Sequence, residues 1–482
     1  MIPLTRSLRA EWLRTKGSAV MWLPLLGLVI GVLSGMSALS VSEAQNANAL
    51  LTWQGLYITG MSTPLTALFA GLVVRRERRT RSGGTRWRPV SPLTLRAAQC
   101  AVLAVLLGVF LALCFGTTWV IALARGYHGT HEILLAGALC WLAQAGVLGM
   151  FLLFAKATGL IPALLLSAVW QALGVLYSES TLWWLCPPAW PVRLLLPSLG
   201  THVNLVTLEP GEAPLAAEPV FVACFLFAAI ALLAAMVFEP TPFSLRPRRR
   251  VHRAAPGGFL SYSLGPRSRP TALGALGAAF SATRRRGIYL LITLTVLVLC
   301  YAAVRYPAPL LTGLTTFLLL PLGTALLPVI AWGAAAPAWN ISVAHNPALR
   351  AAFTAWNLIV TDALCLTAAG LTLVAGISPG QAALRAVLWC ATGAVLVLTW
   401  LLLTVRFSAA VPLGCAVILT IFSVTLGGDV LAATPLWLAA LPSWGESALS
   451  GTRPLLAIGV CGVLLVALVP LLRRAYRRVE GR

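Results

Sequence analysis

Twelve stretches of about 20 apolar residues recur along this 482-residue chain, and each is long enough for a helix to cross the hydrocarbon of a bilayer. They run over 19–40, 53–74, 97–123, 132–154, 158–178, 218–238, 288–304, 308–332, 353–376, 384–405, 407–427 and 453–472. Only 10% of the residues are charged and 59% are apolar, whereas a soluble domain carries about 25% charged residues, so no large water-exposed domain can be built. The expected fold class is therefore an all-α polytopic membrane protein. The ten cysteines lie singly, mostly inside the apolar stretches and without a C-x-x-C pair, which reads as packing and not as a disulfide framework or a zinc site.

A net charge of +22 raises the question of a nucleic-acid partner, but the placement of the charge answers it. With the N-terminus in the cytoplasm, all but five of the 35 Lys and Arg fall on that side; Arg125, Arg193, Arg305, Arg385 and Arg453 are the exceptions. Eight acids from Glu43 to Glu446 lie outside. This is the positive-inside pattern, with both termini cytoplasmic and the charge serving topology; no nucleic-acid partner is implied. No cleavable signal is apparent, because the first apolar run is too long.

A Pro- and Arg-rich segment, 239–286, divides the spans six and six, which gives a first half over 1–238, a basic linker with an interfacial helix, and a second half over 287–482. The halves resemble each other. At an offset of 254, Leu95-Arg96-Ala97-Ala98 meets Leu349-Arg350-Ala351-Ala352, and Leu182, Trp183, Pro188 and Trp190 meet Leu436, Trp437, Pro442 and Trp444. Tryptophan and proline rarely coincide by chance, so the chain reads as a duplication. An even number of spans per unit makes the repeats parallel, an arrangement common among transporters.

Several chemistries are missing. Lys16 and Lys156, the two lysines, end no G-x-x-x-x-G-K-[ST] loop, and the five histidines form no H-E-x-x-H motif, so neither a P-loop nor a metal centre is expected. Glu43 is the sole acid in the first outside loop, which argues against a membrane enzyme handling sugar phosphates. Asp362 is the clear intramembrane acid, about 13 Å into its span. It reads either as a pathway or coupling residue or as a hydrogen-bonded packing residue.

If energy arrives from another subunit, the cytoplasmic segments must receive it. Residues 4–16 place Leu4, Leu8 and Trp12 at four-residue spacing with Arg6, Arg9 and Lys16 on another face, as in a helix lying at the interface. After the second span come Arg75-Arg76-Glu77, Gly83-Gly84-Thr85, Trp87-Arg88-Pro89-Val90-Ser91 and Leu95-Arg96. This succession resembles the membrane subunits of type 2 ABC exporters, particularly those for lantibiotics and other peptide or polyketide antibiotics. Glu11-Trp12-Leu13-Arg14 is similar to that family's interfacial helix, and 182–191 and 436–445 resemble its outer-leaflet element between the fifth and sixth spans.

The resemblance implies that Glu11, Glu77, Gly84, Thr85, Trp87 and Pro89 dock on a separate P-loop ATPase subunit, two copies per chain, with ATP and Mg bound there and no cofactor on this chain. It also implies an amphipathic cargo and a bacterial plasma-membrane location. The second half departs from the pattern: its loop keeps Trp339, Asn340, Pro347, Leu349 and Arg350, of which Trp339, Asn340 and Arg350 are the docking residues the resemblance implies there, but has neither the acid nor the Gly-Thr turn. An Arg-rich loop of this kind also suits anionic lipid. An ion-coupled carrier using Asp362 and a membrane enzyme on lipid-linked substrates are the competing classes.

Overall fold

The computed structural model describes residues 4–41, 46–79, 91–209, 212, 215–240, 271–284, 288–427 and 435–480. Among them every named element is helical. Ten helices are long and apolar enough to cross a membrane, and a pair bent by 54° makes eleven if it is counted as one span. The protein is a polytopic membrane protein. The count of twelve is not reached among these residues: the stretch 407–427 forms the 17-residue helix Ala410–Leu426, about 26 Å long and short of a roughly 30 Å hydrocarbon core.

The chain divides into two compact units, Met1–His252 and Arg253–Arg482. In the first unit α1 (Leu4–Lys16) leads through a 3₁₀ turn into α2 (Leu25–Val41), followed by the bent pair α3 (Ala47–Gly60) and α4 (Ser62–Arg79). Then come α5 (Pro92–Ala124), α6 (His131–Thr158), α7 (Leu160–Tyr177), a 3₁₀ turn Trp183–Leu185, α8 (Ala189–Leu199) and α9 (Glu218–Val237). Because lipid tails are as apolar as leucine, helices here associate through close packing, and small residues supply it. Gly27, Gly31 and Gly35 repeat at four-residue spacing on α2, and a Cβ at Gly27 or Gly31 would lie 2.1 or 2.4 Å from the Phe110 or Cys114 carbonyl oxygen of α5.

The second unit begins with α10 (Ala272–Arg284) and α11 (Ile288–Arg305). A long irregular span follows: α12 (Ala308–Gly313), a π-helical segment Leu314–Gly323 and α13 (Thr324–Ala335), continued by a 3₁₀ turn and α14 (Trp339–His345). The remainder is α15 (Leu349–Val374), α16 (Pro379–Arg406), α17 (Ala410–Leu426), short turns over Pro435–Ala439, Leu441–Ser443 and Trp444–Ser447, and α18 (Arg453–Glu480). Its core at one end is aromatic. Trp339 stacks on Tyr476 at 5.0 Å and meets Trp332 and Phe353 edge-on at 4.9 and 5.5 Å.

The helix over 4–16 has the bounds read from the sequence, and its packed face is a third one, neither the leucine row nor the basic one. The buried face of α1 is Ser7, Glu11 and Thr15, packed on α5, while Leu4 and Leu13 are exposed. The polar stripe turns inward because an arginine waits there, and the apolar side chains are left to lipid.

Candidate functional site

Three consecutive residues at the end of α4 reach three different helices. Arg76 donates to the Glu11 carboxylate of α1 and, at 3.1 Å, to the Thr15 hydroxyl. Glu77 Oε1 accepts from Gln99 Nε2 of α5 at 2.8 Å. Arg78 donates to the Lys156 carbonyl at 2.6 Å, capping the end of α6. Arg96 adds a fourth link, from the start of α5 to the Val237 carbonyl of α9 at 2.6 Å. The last turn of α4 thus gathers the ends of α1, α5 and α6 directly before residue 80.

This arrangement revises the roles assigned from the motif. Glu11 is 6% exposed and also pairs with Arg14 at 3.0 Å, so it holds α1 to α4 and does not present itself to a partner. Glu77 sits at the base of the loop. Gly84, Thr85, Trp87 and Pro89 lie outside the described residues. In the second unit Trp339 is 1% exposed inside the aromatic core, so it cannot be a docking contact; it anchors α14 instead. Asn340 is exposed. Arg350 makes a two-pronged ion pair with Glu480, at 2.8 and 2.5 Å, tying the start of α15 to the end of α18.

The bent span is held by an amide that the sequence reading passed over. Gln171 of α7 lies at the break, donating to the Ile58 and Thr59 carbonyls at 3.0 and 2.7 Å and accepting from the Thr63 amide and the Ser62 hydroxyl at 3.0 and 3.1 Å. One side chain therefore satisfies the carbonyl end of α3 and the amide end of α4 at a buried break, where hydrocarbon offers no partner. Gln54 and Gln144 brace the same span, through Thr118 at 2.6 Å and Thr66 at 2.8 Å. Polar amides in apolar stretches were the available signal, together with Gly60 and Pro64 flanking the break. In the second unit the irregular span is held by indoles: Trp389 and Trp400 of α16 donate to the Thr316 and Thr324 hydroxyls at 3.0 and 3.1 Å.

The tryptophan-proline segments have one construction. Trp190 Nε1 donates to the Trp183 carbonyl at 3.1 Å, and Trp444 Nε1 to the Trp437 carbonyl at 3.0 Å. Arg193 lies 4.8 Å from the Trp183 ring centroid and Arg453 lies 5.1 Å from that of Trp437. Pro188 and Pro442 are buried. Asp362 sits in α15, half-buried, and its Oδ1 has no hydrogen-bond partner among the described residues.

Between α8 and α9, His202 bridges two acids, its Nδ1 at 3.2 Å from Glu179 and its Nε2 at 3.2 Å from Glu212. Desolvation pulls the imidazole pKa down, but the charges of Glu212 and Glu179 outweigh it and the net shift is upward from 6.5. A raised pKa means that the clamp is complete below the ordinary imidazole range and is lost as pH rises through the shifted value. An NMR titration of the His202 ring is expected to give a midpoint above 6.5, with Glu179→Gln lowering it. A midpoint at or below that value in the wild type would rule the clamp out.

No metal-holding group of three or more His, Cys, Asp or Glu occurs among the described residues. The chain matches no known family model, no curated protein and no solved structure.

Proposed function

We propose that the chain is the membrane-spanning permease of an ATP-driven exporter, powered by a separate P-loop ATPase subunit in two copies and acting on an amphipathic antibiotic, peptide or lipid-like compound in a bacterial plasma membrane. The observation that carries this reading is the end of α4, where Arg76, Glu77 and Arg78 connect α1, α5 and α6 next to the loop resembling an ATPase dock. A push on that loop is delivered to three helices at once, and through α4 to the joint at Met61. Rigid linkage at one end and a joint farther along are what a lever needs.

The proposal includes the duplication. Both units run through an amphipathic or short leading helix, a first span, an irregular second span, three further helices, a tryptophan-proline element and a last helix. The paired indole-to-carbonyl bonds at Trp190 and Trp444 support the same relation. The units differ at the docking side, since Arg350 is engaged by Glu480 while Trp339 is enclosed, so the first unit takes the larger share of the ATPase contact.

The test is purification of the full chain from native membranes in mild detergent, with mass spectrometry of whatever accompanies it in stoichiometric amount. A P-loop ATPase at two copies per chain is expected, and Glu77→Arg is expected to keep membrane insertion while reducing transport at least about tenfold, the scale of one charge-assisted hydrogen bond. Absence of any ATPase under conditions that preserve known complexes would overturn the reading.

A further inference from the structure

Asp362 is the acid at the centre of α15, about 20 Å along the helix from Leu349 and about 18 Å from Val374. It stands at the seam with α16. Cys390 Sγ of α16 lies 4.0 Å from the Asp362 carbonyl oxygen, and Cys365, one turn on, reaches the Trp389 carbonyl at 3.5 Å. On the inner side of α15 Thr361 and Cys365 are 3% and 5% exposed, whereas Ile359 and Leu366 on the outer side are 55% and 57% exposed. At about 100° per residue Asp362 falls between the two, on the shoulder where the packed seam opens to hydrocarbon.

The two carboxyl oxygens differ. Oδ1 is enclosed and unbonded, while Oδ2 is likewise unbonded among the described residues but is not enclosed. The chain offers this acid no cation. No charged side chain acts on it, and the arginines of its two helices are engaged elsewhere, Arg350 by Glu480, Arg385 by Glu446 and Arg406 over the Phe407 ring. A carboxyl without a partner is costly at mid-depth in a membrane, and packing alone would be served better by an apolar side chain. The missing partner therefore comes from outside the chain, through the side on which Oδ2 opens.

We propose that Asp362 receives the amine of an amphipath that enters sideways from the hydrocarbon, with its alkyl part lying along Ile359 and Leu366. An amine travelling through lipid does so uncharged. At Oδ2 the acid proton is shared between the carboxyl oxygen and the amine nitrogen, so the pair stays neutral overall and no net charge is carried into the membrane. Calling this occupant the cargo rests on the exporter reading; the binding itself does not.

The test uses the full chain in phosphatidylcholine vesicles, which add no net lipid charge, with two photoreactive probes, a diazirine-bearing dodecylamine and the matching dodecanol. Saturable labelling of α15 and α16 by the amine is expected, at least about tenfold weaker in Asp362→Asn, the scale of a hydrogen bond to a charged group. The alcohol is expected to label these helices without saturating. Dicyclohexylcarbodiimide, whose C=N bond adds a carboxylic acid in apolar surroundings, is expected to mark Asp362, and the amine but not the alcohol is expected to block it. These comparisons on the wild type need no variant to fold. The proposal is overturned if amine labelling does not saturate, if Asp362→Asn labels like the wild type, if the alcohol competes equally, or if the carbodiimide marks Asp362 as fast with the amine present. A second copy of the chain covering the acid would show as unsaturable amine labelling with a changed oligomeric state in Asp362→Asn, and that result overturns it too. No ATPase takes part, so failure here leaves the co-purification result standing.

Discussion

Exchanging Glu11 for leucine is expected to lower the thermal unfolding midpoint of the solubilised chain by roughly 10 °C, the equivalent of about 3–5 kcal/mol for removing one partner of a buried ion pair. The Arg76 guanidinium is only 12% exposed and loses its carboxylate in that variant. The double variant Glu11→Leu, Arg76→Met removes both charges and fills the space with apolar groups, and is expected to recover most of the loss, since desolvation consumes much of what a buried pair contributes. If the single and double variants melt together, Arg76 is satisfied by other means and α1 is not tied to α4 through this pair. Wild-type stability in both variants would remove the lever.

Gln171→Leu is expected to be at least as damaging. It strands the Ile58 and Thr59 carbonyls and the Thr63 amide at the break, each costing about 1–3 kcal/mol, in a setting where water cannot replace the lost partner. Gln171→Glu, in its protonated form, keeps the acceptor for Thr63 and one donor, so it should melt between the leucine variant and the wild type. Thermal melts of the three proteins in one detergent decide this. Equal midpoints would mean that the joint at Met61 is held by its neighbours and not by the amide.

What the sequence disclosed follows from how strongly each feature is specified. Spans are legible because crossing hydrocarbon demands an uninterrupted apolar length, and α1 because charge and leucine alternate at helical spacing. What its sequence does not disclose is the face packed on the protein: Ser7, Glu11 and Thr15 turn inward because Arg76, 65 residues from Glu11, is there to meet them. That pairing is a long-range fact with no local signature. Trp339 was similarly placed on a docking loop by its position in a motif, whereas stacking on Tyr476 at the far end of the chain encloses it. The break at Met61 does leave a local trace, in Gly60, Pro64 and three glutamines in apolar stretches, and these are uncharged, so a search for charged residues in the spans does not find it.

The second span is irregular in each unit, yet the irregularities are of different mechanical kinds. Between α3 and α4 the chain has a corner of 54° with one amide across it, and a corner changes by tilting: its far arm swings while the turns of each helix stay as they are. The ten-residue π segment is instead a stretch of wider coil, with Thr316 at its start and Thr324 just beyond its end fastened to indoles. Wider coil changes by winding, so that converting a turn to the α form rotates every residue beyond it about the helix axis. The same displacement applied at one end of each span is therefore delivered as a swing in one unit and as a twist in the other. Two motors of equal strength beneath this chain would do unequal work above it.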